Sequence, residues 1–337
     1  MSETRSLVIA GDIGGTNSRL ALYADGKPAF ERTYPSVDHA SLEQVIERFV
    51  DDARKQLGAD TRPASACLGV PGPVENDMSR PTNLPWIVDA RKIEARAKIP
   101  RVTLLNDFQA AALGVTALGP EHLVQVGGAE RNPKGPIVVA GAGTGLGEAF
   151  LFWSEADKAH QVVASEGGHV DFTPRTGLEA GLLTFLQGRY GRVSYERVLS
   201  GPGLADIYGF LIAEPAVRPL LTDETRAAMV IEDPAAVVSR QALAGRDPVC
   251  VMALNLFCSV LGGLGGNLAL TFLATGGVFI AGGITPRILS VIQNGVFREA
   301  FEAKGRFQPL VAKIPAFVVT HKDVGILGAA TYARRHT

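Results

Sequence analysis

A strand, a glycine-rich turn and a second strand occur twice in this chain, once at the start of each half. The first copy is strand Leu7 to Ala10, turn Gly11-Asp12-Ile13-Gly14-Gly15-Thr16-Asn17 and strand Arg19 to Tyr23; the second is strand Ile137 to Ala140, turn Gly141-Ala142-Gly143-Thr144-Gly145-Leu146-Gly147 and strand Glu148 to Phe152. A third strand follows each pair, Ala29 to Tyr34 after the hairpin signal Asp25-Gly26 and another near Gln161 to Ala164. Repetition at this scale predicts two mixed α/β halves related by internal duplication, with ligand bound between them. The length of 337 residues suits two cores rather than one.

The remaining pattern fits that plan. Ser41 with Gln44 reads as a capping box, and Val45, Ile46, Phe49 and Val50 give the segment to about Leu57 an amphipathic helical period. Strand Ala66 to Val70, a short helix near Ala90 to Lys98 and strand Val102 to Leu105 follow. Helical material fills much of 178–273, strand Val278 to Ala281 comes next, and strand Phe317 to Thr320 precedes a closing helix from about Gly325. Residues 248–286 carry no charged side chain and are long enough to span a bilayer, but paired glycines from Gly262 onward favour a buried helix and strand.

Thirty-three basic and 34 acidic residues leave a formal charge of -1, so no net field draws the chain to nucleic acid or an anionic membrane. Cys67, Cys250 and Cys258 are odd in number and outside zinc spacings, which fits a reducing cytoplasm; the short apolar stretch before Gly11 does not read as an export signal.

Chemistry concentrates at the turns. In the first, glycines let successive N–H groups face a phosphate, while Asp12 is placed to hold the water shell of Mg²⁺; a plain hairpin turn is the other reading. The second is neither a dinucleotide fingerprint, since Leu146 stands where glycine is needed, nor a Walker loop. Two such turns at matching places favour a clamp on one nucleotide tail, with Gly14, Gly15, Thr16 and Asn17 on one side and Gly141, Gly143, Thr144 and Gly145 on the other.

Asn106-Asp107 stands where a strand becomes a helix, which suits an N-cap or, for Asp107, a base that accepts a hydroxyl proton during phosphoryl transfer. Glu166, His169 and Glu196 supply acceptors and an imidazole for vicinal hydroxyls, although His169 also suits an ordinary turn and Glu196 a pairing with Arg197 or Arg192. Asn83 sits in the rigid loop Pro81 to Trp86 as a further hydroxyl contact. Gly282 and Gly283 end a strand where a flat base can lie on backbone, or where strands merely pack closely.

Taken together, GDIGGTN at 11–17, LNDF at 105–108, GAGTGLG at 141–147, EGGHVDF at 166–172, ERVLSGPG at 196–203 and AGGI at 281–284 resemble the bacterial ATP-dependent glucokinase family, in order and over nearly the whole chain. The resemblance implies a two-domain actin/hexokinase-like (ribonuclease H-like) α/β fold with an interdomain active-site cleft. The expected small domain is 1–116 completed by 322–337, and the large domain is 117–321. It implies ATP, Mg²⁺ and glucose as ligands, Asn106, Asp107, Glu166, His169 and Glu196 on the sugar with Asp107 as base, the two turns on phosphate, and the AGGI region near adenine. A cytoplasmic homodimer without nucleic-acid or membrane partners is expected. The cysteine-rich zinc motif of the repressor, open reading frame and kinase family is missing after E-G-G-H, so no structural zinc is expected. Kinases for other hexoses, a sugar-responsive regulator on the same fold, and an ATPase using the same clamp are the alternatives; the roughly six residues before the first strand leave little room for a DNA-binding segment.

Overall fold

The computed structural model describes residues 7–81 and 84–336, so Asn83 lies outside the described residues. Its strands, in chain order, are Leu7–Ile13 (β1), Asn17–Ala24 (β2), Lys27–Pro35 (β3), Ser65–Val70 (β4), Val74–Glu75 (β5), Met78–Ser79 (β6), Val88–Asp89 (β7), Val102–Asn106 (β8), Leu123–Gln125 (β9), Ile137–Ala142 (β10), Leu146–Ser154 (β11), Ala159–Ser165 (β12), Gly277–Ala281 (β13) and Ala316–Val319 (β14). The chain divides into two compact units: 1–119 with 159–164 and 321–337, and 120–158 with 165–320.

In the first unit the sheet order is β3-β2-β1-β4-β8. The first three strands run antiparallel, and β4 and β8 are parallel to β1. Asp25 and Gly26 both take positive φ, 53° and 80°, as a two-residue turn matched to strand twist requires. Gly11 lies in β1 between Leu20 and Leu68, where a Cβ would come within 2.8 and 2.6 Å of their methyl carbons. That glycine therefore serves strand packing rather than turn flexibility. Helix Leu42–Leu57 buries Val45, Ile46, Phe49 and Val50 as its period predicts. The Ser41 capping box is corrected: Ser41 precedes the helix but its side chain makes no cap bond, and Gln44 instead accepts from the Ala40 N–H at 3.1 Å. The closing helix Val324–Arg335 lies against helix Asp107–Val115 and the central strands.

The second unit repeats the arrangement. Its strands β11-β10-β13-β14 stand in the order of β2-β1-β4-β8, with β10 and β11 antiparallel, β13 and β14 parallel to β10, and β9 added beyond β14. The uncharged run resolves into helix Pro248–Phe272, started by an Asp247 side chain that accepts from Cys250 N, followed by β13. It is long and apolar enough to cross a membrane, yet its most apolar window is 78% buried inside the fold. Gly262 and Gly266 let helix Val296–Glu302 approach until its Phe297 and Phe301 carbonyls occupy the space of a Cβ. Close packing, not lipid, explains the glycine pairs.

Candidate active site

The first glycine turn is closed by Gly14 N donating to Asn17 O at 2.8 Å, and it is tied to the end of β3 by Ser36, whose N–H and Oγ bond Thr16 O and Gly14 O. Thr16 and Asn17 are exposed and Gly14 and Gly15 are half-buried, so the turn is accessible to a ligand. Asp12 and Arg19 sit opposite each other in the β1–β2 register and form an ion pair, and Arg19 also reaches Asp323 at 2.7 Å. Arg19 and Asp323 had no place among the expected site residues. The signal for Arg19 lay in the hairpin register, because a turn of that length pairs residues 12 and 19 across strands.

At the end of β8, Asn106 performs the capping that the sequence left open between it and its neighbour. Its Oδ1 accepts from Phe108 N at 2.9 Å and Gln109 N at 3.3 Å, Gln109 reaches back to Asn106 N at 3.0 Å, and Nδ2 donates to Gly72 O at 3.1 Å. With both oxygen lone pairs used, the side chain keeps one amide hydrogen for another acceptor. Asp107 is then the first residue inside helix Asp107–Val115, with an exposed side chain whose Oδ1 accepts from Phe108 N at 2.8 Å. The cap explanation for Asp107 falls away, since Asn106 already holds that position.

The second turn is built differently. Gly143 N donates to Gly145 O, and Gly143 O accepts from Gly201 N at the start of helix Gly201–Ala213. Gly282, at φ +93°, packs where a Cβ would strike Ala142 O, so the AGGI turn rests directly on the strand that enters the second glycine turn. Between these elements lies a cavity of about 1220 Å³. Gly143, Thr144, Gly201, Gly283, Arg240 and Arg287 are among its lining residues, and helix Pro234–Leu243 forms one wall. That helix went unnoticed as a site element, because its sequence carries only a cap, Asp233-Pro234, and an ordinary apolar period.

Three expected residues meet beside this turn. His169 Nε2 lies 3.9 Å from Glu166 and its Nδ1 3.8 Å from Glu196, beyond direct hydrogen-bond range but close enough for one small polyol to touch all three. Glu196 also accepts from Leu146 N at 3.0 Å, and Gly145 is a glycine where a Cβ would lie 2.5 Å from the same carboxylate oxygen. Neither Arg197 nor Arg192 pairs with Glu196: Arg197 stacks over the Tyr190 ring, and Arg192 bonds Asp171 and His169 O. Among the described residues no group of three or more His, Cys, Asp or Glu side chains is arranged to hold a metal ion.

A family model described as glucokinase matches residues 9–336. The chain belongs to the glucokinase family. It is therefore a phosphotransferase, an ATP-dependent kinase acting on glucose. It is 37% identical to a glucokinase of Nostoc sp. over 98% of this chain and 99% of that one, and 39% identical to a glucokinase of Shigella dysenteriae over 97% of each. A crystal structure of glucokinase from an Antarctic psychrotroph is similar at 32% identity with a TM-score of 0.84, covering 98% of this chain and 99% of that one. A ROK family glucokinase from Streptomyces griseus, solved with glucose and AMPPNP, shares the fold at 20% identity and a TM-score of 0.65, covering 98% of this chain and all of the other.

Proposed function

We propose that this kinase transfers the γ-phosphoryl group of ATP to the 6-hydroxyl of glucose, with Glu166, His169 and Glu196 holding the sugar and Asp107 acting as the base. Glu196 is the observation that carries this reading. One of its oxygens binds the backbone of the second glycine turn while the other faces His169, so a single carboxylate links a phosphate-side turn to a hydroxyl-binding cluster. The nucleoside enters the cavity behind Gly143 and Thr144, with Gly283 beneath the base, Gly282 packed on Ala142 behind it, and the N-terminus of helix Gly201–Ala213 favouring the negative charge of phosphate. Gly14, Gly15, Thr16 and Asn17 of the first turn, with Gly141 and Gly145 of the second, take the remaining phosphate oxygens. Asn106 offers its one spare amide hydrogen to a sugar hydroxyl.

In the reaction the hydroxyl oxygen bonds to the γ-phosphorus as the bond to the β–γ bridging oxygen breaks. ADP departs, and the hydroxyl proton passes to Asp107. Mg²⁺ neutralises the phosphates when bound. The donor set fits it, because Asp12, half-buried at the first turn and paired with Arg19, offers a carboxylate oxygen of the kind that holds an ion kept largely by water and phosphate. We also assign the enzyme to the cytoplasm as a homodimer, checked by light scattering; the three buried free cysteines suit a reducing compartment.

Asp107→Asn tests the base. Since Asn106 supplies the cap, folding should be unchanged, hexose should still bind, and turnover should fall by roughly 10² to 10⁴. A folded, glucose-binding variant that keeps more than about a tenth of wild-type turnover would rule Asp107 out as the base.

A further inference from the structure

One buried acid is not used by this mechanism. Glu148 lies on β11, two residues past the Leu146 that binds Glu196, and is only 3% exposed. Its Oε1 is buried without a hydrogen-bond partner. Burial alone pushes the carboxyl up to about 7. A buried polar group left unpaired is costly, and an apolar side chain of similar size would be more stable in its place. The other oxygen, Oε2, is packed against the backbone of Gly167, in the space a Cβ would need, and Ser165 Oγ, close to the same space, accepts from Gly167 N at 2.9 Å. Gly168, next along, is packed in the same way on Leu146 O. The turn carrying Glu166 and His169 therefore rests on β11, with the Glu148 carboxyl and the Leu146 carbonyl packed against its two glycines.

We propose that Glu148 is a positioning residue for the sugar-binding turn, its buried carboxyl fixing the backbone at Gly167 and, through it, the side chains of Glu166 and His169 on either side. This rests on the reading that Glu166, His169 and Glu196 hold the hexose. The stability lost by burying an unpaired acid is then offset by function, which is where local rules are expected to be broken.

The test compares Glu148→Leu, which keeps the bulk without the polar group, with Glu148→Gln, which keeps a neutral donor and acceptor. Steady-state kinetics and thermal melting are measured for both, with Glu148→Ala taking the place of the leucine variant if that does not fold. Glu148→Leu should melt at or above the wild-type temperature yet raise KM for glucose by about tenfold, with kcat and KM for ATP changed less than about threefold. Glu148→Gln should restore KM for glucose to within about threefold of wild type. An unchanged glucose KM in the leucine variant overturns the proposal, as does a fall in melting temperature together with a rise in both KM values in all variants, which would mark plain packing. If His169→Ala and Glu196→Gln also leave glucose KM unchanged, the sugar assignment itself fails; if they raise it and Glu148→Leu does not, only the positioning role fails.

Discussion

The two glycine turns share a scaffold and differ in where their charge comes from. The first has its own carboxylate, Asp12, at the end of β1, held by Arg19 from the facing strand and, through Arg19, linked to Asp323 before the closing helix. The second has no ionisable residue among 141–147 and borrows Glu196 from a distant segment, through Leu146 N. The second also opens on a cavity, while the glycine at the start of the first, Gly11, is consumed by packing between Leu20 and Leu68. The two units thus keep the same strand order while their turns differ: the first carries a carboxylate with exposed hydroxyl and amide side chains, and the second opens on a cavity.

The largest effect that follows concerns the first turn. Arg19 is already shared between two carboxylates and the second turn carries no charged side chain, so under the proposed function a divalent ion neutralises the phosphates. Excess chelator should reduce turnover to background, with activity returning on adding Mg²⁺; full activity in chelator would break the contrast.

Glu196 sharpens it next. Glutamine at 196 keeps an acceptor for Leu146 N, so Glu196→Gln and His169→Ala should raise KM for glucose about ten- to a hundredfold while barely moving KM for ATP. Glu196→Ala removes the link to the second turn as well and should raise both constants. Equal effects on the two substrates from Glu196→Gln would show that its carboxylate serves the nucleotide side.

The smallest expected effects separate glycines that pack from glycines that line the cavity. Gly282→Ala forces a side chain at φ +93° into the Ala142 carbonyl and should cost about 2–4 kcal/mol in urea unfolding. Gly143 has open space where a Cβ would stand, so Gly143→Ala should cost less than about 1 kcal/mol. Similar losses at both would mean the second turn is as tightly packed as its neighbour.

Much of this was legible before the structure, for reasons that can be named. The central strands β1, β4, β10 and β13 are apolar runs, as a buried parallel pairing demands, so each is placed from sequence to within a few residues. His169 and Glu196 were each open to a plainer reading from sequence, and what the structure adds is that their side chains come together with that of Glu166 beside the second turn. What sequence could not resolve was competition between neighbours for one role. Ser41 looked like a cap and makes no cap bond, whereas Asn106 is the cap that leaves Asp107 inside the helix. The short strands β5–β7 and β9 are two or three residues each, too brief for any periodicity. Helix Pro234–Leu243 contributes to the cavity by its position alone, and position is set by tertiary packing.

The central claim is that the chain couples ATP turnover to phosphorylation of glucose, and ADP release across a hexose panel tests it most directly. Purified protein with ATP and Mg²⁺ would be assayed without sugar and with glucose, fructose, mannose or N-acetylglucosamine. Release that requires hexose, with glucose giving the highest kcat/KM, is the predicted result. Release that proceeds equally without sugar, or that favours another hexose by more than about tenfold, a difference of about 1.4 kcal/mol in transition-state binding, would contradict the account.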